Sequence, residues 1–95
     1  MNKDKEITRV IFRIDSDGVF ALFPYEVEIR SGITFHKYVM CYAHIGQHSS
    51  ANYNYCIRKS KAASIDEAKD LKKELEDIGY NLKVVKRRYR KHMEV

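Results

Sequence analysis

The stretch from Ser64 to Gly79, "SIDEAKDLKKELEDIG", limits the possible folds of this chain more than any other. Ser64 and Glu67 stand at the spacing of a capping box, in which the serine oxygen accepts from an unpaired first-turn amide and the glutamate reaches back to the cap amide. A helix therefore begins at about residue 65. Ile65, Ala68, Leu71, Leu75 and Ile78 recur at steps of three and four, one apolar stripe on an otherwise charged rod, and Gly79 supplies the left-handed cap. A helix with one apolar stripe has to lie on an apolar surface. The residues that follow, "YNLKVVKR", alternate Leu82 and Val84 with Lys83, Val85 and Arg87, so a strand comes directly after the helix.

The first half of the chain supplies the surface. "ITRVIFRID" alternates Val10, Phe12 and Ile14 with Arg9, Ile11 and Arg13, the period of a strand with two different faces. "SDG" then offers Gly18 for a tight reversal, and "VFALF" returns as the second strand of a hairpin. Pro24 withholds a backbone donor and is expected to end that pairing. "YEVEIRSGITF" alternates again with Gly32 at a turn, "HKYVMCYAHI" reads as a central strand stopped or kinked at Gly46, and "YCIRK" as a short strand before the helix. The expected fold class is α+β: an antiparallel or mixed sheet of four to five strands, one C-terminal-half helix packed on one face, and a final strand after it.

A chain of 95 residues has room for one domain, here residues 1–95 with a folded core at 6–87 and a basic tail at 88–95. No run approaches the ~18 apolar residues of a membrane span, and the charged N-terminus has no apolar stretch behind it, so a cytoplasmic protein without a membrane partner is expected. In that compartment Cys41 and Cys56 are expected as thiols. The net charge of +5 is unevenly placed. Residues 81–95 hold Lys83, Lys86, Arg87, Arg88, Arg90 and Lys91 against Glu94, while the twelve basic and twelve acidic residues before them cancel. Attraction to nucleic acid is thus expected at the C-terminal segment, whose alternative role is that of a solubilising tail.

If the helix covers the face bearing Val10, Phe12, Ile14, Val39, Cys41, Ala43, Leu82 and Val84, alternation places Arg9, Arg13, Tyr38, Met40, Tyr42, His44, Lys83 and Arg87 opposite. Such a face would hold phosphates and stack on bases, or pack against its copy in a homodimer. At one end of it lies "CYAHIGQHSSANYNY", residues 41–55. Cys41, His44, His48 and Cys56 are zinc-ligand types, but Cys41 and His44 are an odd number apart and point to opposite faces of a strand. A cysteine nucleophile at Cys41 is disfavoured by its place under the helix, and neither a metal nor a cofactor is expected. What remains is a polar loop from Gly46 to Asn52, either a hydrophilic hairpin loop whose side chains bond their own turns or a cradle for a polar or anionic ligand. Its candidate ligand-binding residues are Tyr42, His44, Gly46, Gln47, His48, Ser49 and Asn52, with Arg9 and Arg13 from the sheet face.

The motifs VIFR (Val10 to Arg13), ALFP (Ala21 to Pro24), YAHIGQH (Tyr42 to His48) and the ending from Glu74 to Arg87 resemble a family of small uncharacterised proteins of phages and mobile elements of gut bacteria. The similarity covers about residues 10 to 87 and departs between Tyr25 and Lys37 and from Arg88 to Val95. It implies no catalytic residue. It does imply a setting in which a small protein handles nucleic acid, or blocks a host defence by holding a protein or a nucleotide signal. Three functions follow as expectations: a non-enzymatic module binding nucleic acid or a phosphorylated nucleotide, a protein-interaction or self-assembling module, and a small histidine-dependent enzyme.

Overall fold

The computed structural model describes residues 7–43 and 47–86. The elements run β1 (Ile7–Asp15), β2 (Gly18–Arg30), β3 (Ile33–Ala43), β4 (Gln47–Asn52), α1 (Tyr53–Arg58), β5 (Lys61–Ala62), α2 (Ile65–Ile78) and β6 (Asn81–Val84). The strands form one sheet in the order β4-β3-β2-β1-β5, with β6 also alongside β1. Pairing is antiparallel except between β6 and β1. The α+β expectation holds, with its helix in the C-terminal half and its last strand after it.

Local chemistry explains most of the punctuation. At the tip between β2 and β3, Ser31 and Gly32 both take positive φ, 51° and 79°. Two such residues make the mirror-image turn whose twist matches paired strands. The capping box of α2 is complete, since Ser64 Oγ accepts from the Glu67 amide while the Glu67 carboxylate accepts from the Ser64 amide. At the other end Gly79, at φ 129°, lets its own amide and that of Tyr80 return to the Leu75 carbonyl.

Two layers of core lie on opposite faces of the sheet. Under α2, Val10, Phe12, Ala21, Phe23 and Tyr42 pack against Ala68, Leu71 and Leu75. Phe23 also stacks on Tyr80 with ring centroids 5.2 Å apart. On the other face Ile11, Leu22 and Val39 pack with Tyr53 of α1, flanked by Cys41, Cys56 and Ile57. Each fully buried large side chain here contributes about 1.5–3 kcal/mol.

Several expectations are corrected. "YCIRK" is not a strand; its residues lie largely in α1, because the Asn52 side chain caps the first turn by accepting from the Tyr55 amide at 2.9 Å. Residues 47–52 are not a loop but β4, paired with β3 from Tyr38↔Asn52 to Ala43↔Gln47. Pro24 does not end β2. It sits in the irregularity between Phe23 and Val27, where a missing donor is tolerated, and the Phe23↔Met40 register resumes at Glu28↔Phe35. Ile65 and Ile78, assigned to the apolar stripe, are exposed, as is Val84.

The face assignment of β3 is inverted. Tyr42 lies under α2 at 1% exposure, whereas Val39 and Cys41 face α1. Parity alone could not decide this, because both faces of the strand are covered at that level. Among the described residues, no helix is long and apolar enough to cross a membrane.

Candidate interaction surface

The length of β2 creates the most distinctive surface. Its 13 residues span about 43 Å, whereas the 14 residues of α2 span about 21 Å. The helix cannot cover the whole β2–β3 hairpin. Beyond its reach the sheet exposes Ile33 at 58%, Phe35 at 37%, Tyr38 at 40% and Met40 at 38%, with Ile29 also outside at 64%. Met40 pairs with Phe23 of the α2 core, so it shares the face that α2 covers farther along. Tyr38, two residues away, stands on the same side.

Polar contacts hold this strip in shape. Glu28 pairs with the Arg30 guanidinium and accepts a 2.8 Å hydrogen bond from Ser50 Oγ, which ties the hairpin to β4. These contacts hold the Glu28 carboxyl below its ordinary pKa, the serine bond being the largest cause and Arg30 adding to it against a desolvation that opposes both. The Arg30 guanidinium in turn lies 5.7 Å from the Phe35 ring centroid. Glu28, Arg30, Phe35, Tyr38 and Ser50 line a shallow depression of about 380 Å³. It joins apolar rings to one fixed ion pair, a composition suited to another polypeptide.

The expected basic face is only partly assembled. Arg9 and Lys83 are register partners on adjacent strands, both exposed. They lie opposite α2, because Val10 and Leu82, their neighbours in sequence, pack on the α2 side. The Arg9 guanidinium is 6.0 Å from the Tyr25 ring centroid. Lys86 follows and is also exposed.

Arg13, expected on this face as a ligand contact, has an internal task. Its Nε donates to Ser60 Oγ at 2.9 Å, and one terminal nitrogen donates to the Ser60 and Ile57 carbonyls at 2.7 and 3.1 Å. It thereby closes the C-terminal end of α1. Tyr42, also expected to face outward, donates its hydroxyl to the Glu74 carboxylate beneath α2.

The remaining expected site residues divide by position. Ser49 is exposed on β4, and Asn52 is the cap of α1. Gln47 and His48 belong to the backbone ladder of β4. His44, Gly46, Arg87, Arg88, Arg90 and Lys91 lie outside the described residues. Burial under α1 pushes the Cys41 thiol up to about 11, and neighbouring Cys56 adds to the shift, so the thiol is a poor nucleophile at neutral pH. Among the described residues no three His, Cys, Asp or Glu side chains converge to hold a metal.

A second concavity, about 690 Å³, opens between α2, β5 and the end of β6, lined by Phe12, Ala63, Ile65, Ala68 and Val84 with Lys72 and Lys86. Lys72 is already paired with Glu76 at 2.7 Å. Comparison with known protein families, curated proteins and solved structures finds no match.

Proposed function

We propose that this chain is a non-enzymatic protein-interaction module, and that the open strip of β2 and β3 is the surface that takes its partner. The observation that carries this reading is the grouping of exposed large apolar side chains, Ile33, Phe35, Tyr38 and Met40, along one strand beyond the reach of α2. Contiguous apolar surface rimmed by polar groups marks interaction sites on soluble chains. Phe35 and Tyr38 are suited to act as anchors, since aromatic rings bring large contact area with few torsions to freeze.

The test is affinity purification from the host with tagged wild type and the double variant Phe35→Ser/Tyr38→Ser. The strip reading expects a co-purifying protein that survives high salt with the wild type and is lost with the variant. Equal recovery by both chains contradicts it.

A second reading, binding of nucleic acid or a phosphorylated nucleotide, draws on Arg9, Lys83 and Lys86, from which the sequence continues into the basic run of Arg87, Arg88, Arg90 and Lys91. Phosphate contacts weaken steeply with salt. Under this reading short single strands bind at low salt, release as salt rises, and bind the strip variant as tightly as the wild type. A resemblance to phage and mobile-element proteins is compatible with either partner.

A further inference from the structure

The two edges of the sheet are built differently. The β5/β6 edge carries Lys61 and Lys83, charges of the kind that keep an open edge from pairing with another chain. At the other edge β4, "QHSSAN", contains no Asp, Glu, Lys or Arg and no proline. Every other strand carries at least one charged residue. The strand partner of β4 among the described residues is β3, and no other described strand pairs with its outer row of backbone donors and acceptors.

An edge without Asp, Glu, Lys or Arg meets its own copy without setting such charges opposite one another, and lacks the device that keeps other edges from pairing. From this asymmetry we infer that the chain forms a homodimer by antiparallel pairing of β4 with the β4 of a second copy. The interaction is distinct from the strip proposed above, because it uses the backbone edge and not the sheet face, with Ser50 bordering both.

The geometry is constrained. A two-fold axis perpendicular to the sheet pairs the strands antiparallel and keeps each face on its own side. Residues of like parity then stand opposite, so Ser49 or Ser50 lies at the dyad. The sheet becomes continuous through both copies, and the two strips of Phe35, Tyr38 and Met40 come to share one side. The dimer therefore presents its partner surface twice, which strengthens attachment to any target that repeats.

Analytical ultracentrifugation over micromolar to millimolar protein tests the pairing, using wild type, Ser49→Lys, Ser49→Glu and an equal mixture of the two variants. Ser49 is exposed, so far-UV circular dichroism is expected to be unchanged in both variants. The expected result is a wild-type dimer, a monomer for each variant alone, and recovery of the dimer in the mixture, where opposite charges meet at the seam. A wild type that stays monomeric at every concentration overturns the inference without reference to the variants. Variants that dimerise alone as well as the wild type also overturn it, by placing the contact elsewhere.

Discussion

Single residues carry more structural duty in this chain than their types suggest. Arg13 looks like surface charge in "VIFRID", yet its three donors hold the end of α1. Its partners are a serine and two carbonyls more than forty positions away in sequence, which strand alternation cannot reveal. Arg13→Met keeps the aliphatic stem and removes the donors. It is expected to lower unfolding stability by about 2 kcal/mol in urea titration and to speed amide exchange in α1 selectively. Cys41 gives a second test at this scale. With its thiol pushed from 9.0 to about 11, alkylation at pH 8 is expected to run roughly 100-fold slower in the native protein than in urea. Comparable rates in the two states would contradict its placement under α1.

At the scale of elements, the sequence was most readable where one local interaction decides the outcome. The start and stop of α2 followed from Ser64, Glu67 and Gly79, all three of which act as their types imply. Ser64→Ala is expected to cost about 1 kcal/mol by thermal or urea unfolding. Elements decided by tertiary partners are not legible in this way. α1 depends on Asn52 at its start and on Arg13 from β1 at its end, and the polar residues of β4 become a strand because β3 supplies a ladder.

The Glu28 contacts join β2 to β4, and their contribution depends on pH. A carboxyl whose folded pKa lies below its unfolded value stabilises the fold fully above the unfolded value. It loses that contribution as pH falls through the folded one. Acid titration of wild type against Glu28→Gln is therefore expected to converge at low pH and to separate, with the wild type more stable, as pH rises past the ordinary carboxylate range.

For the whole molecule, the decisive fact is a mismatch of lengths. The fold class was readable because helix and strand periods differ, but the location of the open surface was not. The expected face put Tyr42 outside with Tyr38 and Met40; in the structure all three share a side, and α2 buries only the first. The signal was present in the long alternation from Tyr25 to Lys37, which extends the hairpin past any helix of four turns.

The most direct test of the interaction account is hydroxyl-radical footprinting of Phe35, Tyr38 and Met40 in the purified protein and again in host extract. The account predicts strong labelling of all three in isolation and protection in extract that persists at high salt. Equal labelling in both, with protection confined to Tyr25 beside Arg9 and lost on adding salt, would contradict it and assign the partner surface to the basic side of the sheet.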